Sequence, residues 1–368
     1  MSGLPPEIAL FLIFLVAFVV TYLAIPSIVD AAKEKKLYDE PSRRKSHLKQ
    51  IPTLGGIAIF AGLTVSAGSF INYNHVPSLQ YILVASIIIF FIGIKDDILN
   101  IGPLSKLLGQ IAAALILIIP GDLHFTSLHG FLGIHYISTV WSLLLTLFVI
   151  IVIINSFNLV DGIDGLAVSI GMVTTIFFGI WFFISGNIEY CLLSTATFGA
   201  LLAFFRFNVF ANKYKIFMGD TGSLIIGLMM AVQVIMFNEK NIGYTSVTLF
   251  FSIKSAPAVS FAVLIVPLFD TMRVFLIRMS RGRSPFSADK NHLHHCLLKL
   301  GHSHIHATLI IVFANVCFII LALLLQDIGI FWLMMIILAI ATMFSLIIEH
   351  LVKKKNGIHH SNVLHHNK

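Results

Sequence analysis

Long apolar runs alternate with shorter polar segments along the whole chain. An α-helix needs about 20 apolar residues to cross the hydrocarbon core of a membrane. Several of the runs are shorter, and we expect those helices to be tilted or partly surrounded by protein. The pattern predicts eleven membrane-spanning helices, at residues 8–29, 54–72, 79–94, 105–120, 139–157, 166–184, 190–205, 222–237, 257–278, 307–325 and 330–350.

Composition supports this fold class. Of the 368 residues, 58% are hydrophobic and only 11% are charged, whereas a soluble domain carries about a quarter charged residues. We therefore predict an all-α fold, a polytopic integral membrane helical bundle. No basic segment precedes the first apolar run, which is long enough to span, so we do not interpret it as a cleaved signal peptide. The 3 cysteines fit neither a disulfide framework nor the ligand spacing of a zinc site.

Basic residues predict the orientation of the bundle. If the N-terminus lies outside, all of the 24 lysines and arginines except Lys240 and Lys254 fall in or beside inner segments. This bias follows the positive-inside rule and predicts an outer N-terminus and an inner C-terminus. The same loops account for the formal charge of +7, so we predict no nucleic-acid partner. The predicted cytoplasmic loops lie near residues 30–53, 95–104, 155–165, 206–221 and 279–306.

Acidic residues gather on the same predicted face. Those in or beside the inner loops are Asp96, Asp97, Asp161, Asp164, Asp220 and Asp289. A secondary transporter more often holds its ionisable groups near the bilayer midplane, on broken helices. The placement therefore favours an enzyme over an anion transporter, and over a structural scaffold, whose loops would not need to be so densely polar.

The central polar stretch reads Asn155-Ser-Phe-Asn158-Leu-Val-Asp161-Gly-Ile-Asp164-Gly. Its two carboxylates and two carboxamides lie beside predicted hydrocarbon, where such groups are expensive and indicate a functional site by default. The alternative is a capped turn, in which Asp164 caps the helix that begins at Leu166 and the glycines make the bend. The two interpretations are compatible.

Two other acidic segments lie at predicted helix ends. Asp96 and Asp97 repel each other, so one of them has a raised proton affinity unless a cation is near. Lys106 follows at the start of the next span and could return over the pair or bind a phosphate. Asp220 stands where a helix begins and is either only an N-cap or a ligand of Mg²⁺ beside a phosphate site. Mg²⁺ suits this place because it takes few carboxylates together with substrate phosphates.

The last large inner loop is rich in bases. No cysteine or acid completes a tetrahedral zinc set there, so we prefer anion or sugar-phosphate binding. The bases of this loop are Arg281, Arg283, His292, His294 and His295.

Two other features have a structural interpretation. The basic loop at 30–53 predicts an anchor to anionic membrane lipid, although its charges would also suit a phosphorylated substrate. Asp270 lies three residues before Arg273, which predicts an ion pair within one helix.

Four motifs occur in order: Asp96-Asp-Ile-Leu-Asn100, the stretch 155–167, Phe217-Met-Gly-Asp-Thr-Gly-Ser223 and His292-Leu-His-His295. As a set they resemble the polyprenyl-phosphate N-acetylhexosamine-1-phosphate transferase superfamily, over nearly the whole chain. The His-rich loop and the lysine before the acidic pair are similar to bacterial undecaprenyl-phosphate GlcNAc-1-phosphate transferases rather than to phospho-MurNAc-pentapeptide translocases.

This resemblance implies a single transmembrane catalytic domain, residues 1–368, in the bacterial cytoplasmic (inner) membrane. The implied reaction transfers GlcNAc-1-phosphate from UDP-GlcNAc to undecaprenyl phosphate, releases UMP and begins the assembly of a surface polysaccharide. Another UDP-N-acetylhexosamine is the alternative donor. The implied cofactor is Mg²⁺, with Mn²⁺ as the alternative. Direct displacement and a two-step route through a covalent aspartyl intermediate both stay open, and a homodimer is one candidate assembly.

The resemblance also implies site residues. Asp220 and Asn158 are the expected metal ligands. Asp96 and Asp97 are expected to deprotonate or orient the lipid phosphate, and Lys106 to contact a phosphate. Phe217 is expected to stack on uracil. The full set expected to bind substrate is Asp161, Asp164, Asn208, Phe217, Arg281, Arg283, His292, His294 and His295. The segment after Asn208 departs from the Asn-Pro-Ala link of many relatives, which leaves the register of that residue open.

Overall fold

The computed structural model describes residues 5–37, 51–73, 76–242, 253–282 and 291–366. The helices are α1 Pro6–Glu34, α2 Gly55–Phe70, α3 Ser78–Leu99, α4 Pro103–Ile118, α5 Thr139–Val160, α6 Leu166–Ile184, α7 Ile188–Val209, α8 Gly219–Asn241, α9 Ala256–Val263, α10 Ile265–Ser280, α11 Leu293–Lys299, α12 His304–Leu324 and α13 Ile330–His366. The strands are β1 Ser127–Phe131 and β2 Ile134–Tyr136.

Seven of the described helices are long and apolar enough to cross a membrane: α1, α5, α6, α7, α8, α12 and α13. Helices α9 and α10 are bent by 78° relative to each other, and the number of candidate spans rises to 8 if this pair counts as one span. Every apolar run of the sequence falls on a helix or on this bent pair. Helix α2 and helix α4 are apolar but shorter, so the prediction of eleven spans is met only in part by length and composition.

A short hairpin departs from the all-α prediction. Strands β1 and β2 pair antiparallel, with Ser127 opposite Tyr136 and Phe131 opposite Ile134. The turn between them uses Gly130 and Gly133, whose φ angles are +86° and +81°. The described chain is nearly all-α, as predicted, and the hairpin is an exception to that prediction. Strands of 5 and 3 residues are too short to leave a recognisable alternating pattern in the sequence.

Helix α8 is the centre of the bundle, because 94% of its apolar 18-residue segment is buried. It packs against α2, α3, α5 and α6. Glycines let neighbours come close, as small residues do between membrane helices. A Cβ on Gly93 of α3 would lie 2.8 Å from the backbone nitrogen of Thr221, and one on Gly56 of α2 would lie 2.7 Å from Cα of Gly222. The N-terminal turn of α8 is therefore fixed between two other helices.

Several helix ends meet at one end of the bundle, called here the site end. Asp96 and Asp97 lie in the last turn of α3, and Lys106 lies in the first turn of α4. Asn158 lies in the last turn of α5, and Asp220 lies in the first turn of α8. Side-chain contacts join these five residues, although up to 124 positions separate them along the chain.

Candidate active site

The side chain of Lys106 lies at the centre of the site end. Its Nζ contacts Asp96 Oδ2 at 2.9 Å and Asn158 Oδ1 at 3.2 Å, and it also pairs with Asp220 Oδ1. Asn158 donates from Nδ2 to the same oxygen of Asp220 at 2.5 Å and to Oγ of Ser223 at 2.9 Å. One ammonium is thus shared by two carboxylates and an amide. The sequence left two roles open for Lys106, a contact with the acidic pair or a contact with a phosphate. The structure shows the first, because Lys106 contacts Asp96.

Asp97 faces a different partner. Its Oδ1 accepts from the backbone nitrogen of Asp220 at 2.7 Å, and its Oδ2 accepts from the nitrogen and hydroxyl of Thr221 at 3.0 and 2.5 Å. These are free N–H groups of the first turn of α8, so Asp97 acts as an N-cap supplied by another helix. Gly219 permits this approach, because its φ is +72° and a Cβ would lie 2.7 Å from Asp97 Oδ1.

The alternative interpretation of Asp220 as only an N-cap does not hold, because Met218 takes the N-cap position of α8 and no side chain of its own segment caps this helix. The alternative interpretation of Asp164 as a helix cap does not hold either. Helix α6 follows Gly165 and has no side-chain cap, while Asp164 Oδ2 pairs with Lys215 Nζ at 2.6 Å. Nδ1 of His304 lies 3.5 Å from the same oxygen. Burial alone would raise the pKa of Asp164, but His304 and Lys215 outweigh it and hold this pKa below its usual range.

Asp161 lies in the turn between α5 and α6 and is partly buried. Its carboxylate makes no hydrogen bond or ion pair with the residues that the structure describes. Burial, followed by the charges of Asp220, Asp97 and Asp164, raises the pKa of Asp161 to about 8. Lys215 and His304 beside this turn pair with Asp164 and not with Asp161.

Asn208 supports this turn from α7. Its Oδ1 accepts from the nitrogen of Gly165 at 2.7 Å, and its Nδ2 donates to the carbonyl of Ile216 at 3.0 Å. The side chain is 5% exposed, and both ends of its amide bind backbone. This geometry ties the 161–165 turn to the segment before α8.

Phe217 lies next to this join and is partly exposed. Its nitrogen donates to the carbonyl of Pro52 at 2.8 Å, and its carbonyl accepts from Gly55 at 2.9 Å. The Pro-Thr-Leu-Gly-Gly stretch at 52–56 therefore holds the backbone of Phe217 at the edge of the site.

The His-rich loop reaches the same end through His294. This side chain is 1% exposed and packs on Gly162, where a Cβ would lie 2.8 Å from His294 Cε1. Burial, with a further effect of His295, lowers the pKa of His294 to about 3. His292 contacts Asp270 at 2.9 Å, and its ring stacks on that of His294 with 5.6 Å between centroids.

Of the two predicted arginines, the structure describes only Arg281, which is not brought into this cluster. Arg281 is exposed at the C-terminal end of α10, and its guanidinium makes no polar contact with the described residues. Arg283 lies outside the described residues. The predicted ion pair of Asp270 with Arg273 is confirmed at 3.0 Å.

Comparison with known proteins bears on this arrangement. A family model described as glycosyl transferase family 4 matches residues 79–238. The decaprenyl-phosphate N-acetylglucosaminephosphotransferase of Mycobacterium tuberculosis is 33% identical over 335 residues, 84% of this chain and 80% of the relative. The undecaprenyl-phosphate alpha-N-acetylglucosaminyl 1-phosphate transferase of Escherichia coli is 30% identical over 292 residues, 77% of this chain and 75% of the relative. The chain belongs to glycosyl transferase family 4.

The predicted superfamily and the predicted enzyme class, a phosphotransferase, are thereby confirmed. The apolar helices and the bacterial relatives also confirm a multi-pass protein of the bacterial inner membrane. The matched region of this family 4 enzyme contains every residue of the cluster around Lys106 and nearly all of the four helices that carry them.

The donor set of this family 4 site fits a magnesium ion. Asp220, Asn158 and Asp161 offer only hard oxygen ligands, which Mg²⁺ prefers. Among the described residues, no three His, Cys, Asp or Glu side chains converge into a cage, and Mg²⁺ is typically held by one or two carboxylates plus substrate phosphates. The ammonium of Lys106 is shared by several acceptors, and the carboxylate of Asp161 is unpaired within the described part of the chain, so a cation suits this end of the enzyme.

The sequence did not predict several contacts of the site. Lys215 and His304 flank Asp164, and Thr221 receives Asp97. Gln110 of α4 exchanges two hydrogen bonds with Asn155 of α5, at 2.6 and 3.3 Å. Only the helical spacing offered a signal, because Gln110 lies one turn after Lys106 and therefore on the same face of α4.

Proposed function

We propose that the chain transfers GlcNAc-1-phosphate from UDP-GlcNAc to undecaprenyl phosphate, giving GlcNAc-pyrophosphoryl-undecaprenol and UMP. The names of the relatives support this choice, since they act on decaprenyl phosphate and undecaprenyl phosphate with N-acetylglucosamine phosphate. The proposed product begins a surface polysaccharide such as an O-antigen, a common antigen or a teichoic acid.

One observation carries the proposal. Lys106, Asp96, Asn158 and Asp220 come from four helices and converge at the N-terminal end of α8. The free N–H groups and the dipole of a helix N-terminus favour negative charge. A pyrophosphate bound there would meet one ammonium, the helix end and the carboxylates that hold a metal, which is what phosphoryl transfer requires.

The proposed reaction is a direct displacement. An oxygen of the lipid phosphate forms a bond to the β-phosphorus of UDP-GlcNAc, and the bond from that phosphorus to the oxygen of UMP breaks. Lys106 would stabilise the negative charge shared between the two phosphates, while Asp96 keeps its ammonium in place. Asp97 would position Asp220 through the backbone of α8. Mg²⁺, held by Asp220 and Asn158 with Asp161 nearby, would neutralise the pyrophosphate as a Lewis acid.

The uridine end is proposed to lie at the 161–165 turn. Phe217 would stack on uracil, and Asp164 would contact the nucleoside after exchange with Lys215. Asn208 would act on substrate only through the turn that it supports. His292, His294 and His295 would lie toward the sugar and the pyrophosphate.

We also propose that the bundle has eleven spans, an outer N-terminus and an active site on the cytoplasmic face. Each apolar run falls on a helix or on the bent pair α9 and α10, and the helix ends that carry the acids also adjoin the basic loops. The cytoplasmic face is where a soluble nucleotide sugar is available.

One assay tests the function. Purified protein is incubated with Mg²⁺ or Mn²⁺, undecaprenyl phosphate and labelled UDP-GlcNAc, UDP-GalNAc or UDP-MurNAc-pentapeptide. We expect UMP and labelled lipid with UDP-GlcNAc, and a loss of both with EDTA. If another UDP-sugar is turned over instead, that sugar nucleotide is the donor and UDP-GlcNAc is not. Absence of UMP with all three would overturn the proposal, and a covalent sugar-phosphate adduct formed without lipid would exclude the direct route.

A further inference from the structure

Asp270 lies in α10, is 1% exposed, and divides its carboxylate oxygens between different partners. Oδ1 accepts from the backbone nitrogen of Leu293 and from Nη2 of Arg273, both at 3.0 Å. Oδ2 contacts Nδ1 of His292 at 2.9 Å. One oxygen therefore anchors the start of α11, and the other serves a single imidazole.

This contact fixes the orientation and the tautomer of His292. A carboxylate only accepts hydrogen bonds, so Nδ1 is the donor. The other ring nitrogen, Nε2, is then the atom left to exchange a hydrogen bond or a proton, and it makes no hydrogen bond with the residues that the structure describes. The ring stacks at 10° on His294, which packs on Gly162 next to Asp161.

One arginine lies between two acids beside this contact. Arg273 pairs with Asp270 and, at 2.5 Å, with Glu349 of α13, and it also donates to the carbonyl of Asn291. The arginine thus holds the carboxylate of Asp270 from the side away from Oδ2. His292 is 4% exposed, so a wrong tautomer could not be corrected easily by water.

We propose that Asp270 is a positioning residue of the transfer reaction. It keeps the proton of His292 on Nδ1, so that Nε2 alone exchanges a hydrogen bond or a proton with the bound nucleotide sugar. This inference rests on the proposed function. Carboxylate partners of metal-binding histidines fix the tautomer and ring orientation in this way, and their loss costs about 10- to 100-fold.

The first test is Asp270→Asn. The asparagine oxygen can keep the contacts with Leu293 and Arg273, while its NH₂ group replaces Oδ2 and faces Nδ1 of His292. The imidazole must then accept at Nδ1 and carry its proton on Nε2. We expect kcat to fall about 10- to 100-fold, with a smaller change in KM for the nucleotide sugar and a melting temperature close to that of the wild type.

A double-mutant cycle separates positioning from a structural role. In His292→Gln the amide reaches the place of Nε2 and has no counterpart of Nδ1. In this background Asp270→Asn should cost less than about twofold. The matched control is Glu349→Gln, which removes the other acid on Arg273 without touching His292, so its cost should be equal in both backgrounds. An equal cost of Asp270→Asn in both backgrounds, or no cost in either, would overturn the inference.

A second comparison does not depend on Asp270→Asn folding. His292→Asn keeps an atom in the place of Nδ1 but none in the place of Nε2. We expect it to be at least about tenfold less active than His292→Gln, and equal activities would refute the role of Nε2. A wild-type protein that makes no lipid-linked sugar would instead refute the proposed function, so the two failures are distinguishable.

Discussion

Lys254 and Lys106 lie at opposite ends of the bundle and both pair with aspartate. Lys254 contacts Asp327 at 2.9 Å, and the two side chains are 71% and 70% exposed. Lys106 is 15% exposed and is shared by Asp96, Asn158 and Asp220. An exposed pair of single charges contributes about 0–1 kcal/mol, whereas buried charges are costly unless well paired. Of these two lysines, the one at the site end has the costly arrangement.

The two ends also differ in how their carboxylates are paired. At the opposite end, both carboxylate oxygens of Glu239 accept from Thr126, at 2.8 and 2.7 Å. At the site end, the carboxylate of Asp161 has no partner among the described residues, and its pKa is raised to about 8. Both oxygens of Glu239 are thus satisfied by hydrogen bonds, whereas the carboxylate of Asp161 has no such partner in the described part of the chain.

The largest effect is expected for Asp220→Asn, which removes one negative charge from the centre of the site. We expect UMP release to fall by about 10²- to 10³-fold, the size typical of losing one electrostatic contact to a transition state. The melting temperature should change little, because the amide can still contact Lys106 and Asn158. Near-normal turnover would contradict the assignment of Asp220 as a metal ligand.

Asp97 also lies at the site end, but its contacts are those of a helix cap. Asp97→Ala removes both carboxylate oxygens that accept from the first turn of α8 and should lower stability by about 1–2 kcal/mol. Asp97→Asn keeps one acceptor for Asp220 or Thr221, so it should retain clearly more activity and stability than the alanine variant. Thermal melting and UMP release measure both. Equal inactivity of two well-folded variants would instead favour a direct role of the carboxylate in proton transfer.

Asp161 predicts a pH dependence of stability. Its pKa in the folded protein, about 8, lies above the value near 3.9 of an unfolded chain, so the folded state binds the extra proton between these limits. Stability without metal should therefore fall as pH rises from about 4 to 8. In EDTA, Asp161→Asn should melt with a smaller decline over this range, and Mg²⁺ should reduce the decline of the wild type. Identical pH slopes for both proteins would contradict this view of the turn.

The smallest effect is expected at the opposite end. Lys254→Met should change the free energy of unfolding by less than about 1 kcal/mol and leave UMP release unchanged. Lys106→Met, the same replacement at the site end, is the matched comparison and should lower activity strongly. Similar effects of the two replacements on activity would remove the distinction between the ends.

Much of the fold was predictable, because a helix that faces hydrocarbon must be apolar along its length. The hairpin of β1 and β2 and the 78° bend between α9 and α10 were not predicted. The bend does not change the apolar character of its run. The hairpin lies between two apolar runs, and its strands are too short to show an alternating pattern. Hydropathy therefore carries no signal for either feature. The predicted residues of the site could be named because acids and amides beside a membrane are costly and therefore rare.

The sequence by itself determined the membrane bundle, the family and most of the polar residues that converge at the site end. Only the tertiary structure decided how they divide the work. Asp96 and Asp97 are neighbours in sequence, yet successive residues of a helix point about 100° apart. One therefore contacts Lys106, and the other reaches across to cap α8. That division depends on which helices pack together, which no local pattern encodes.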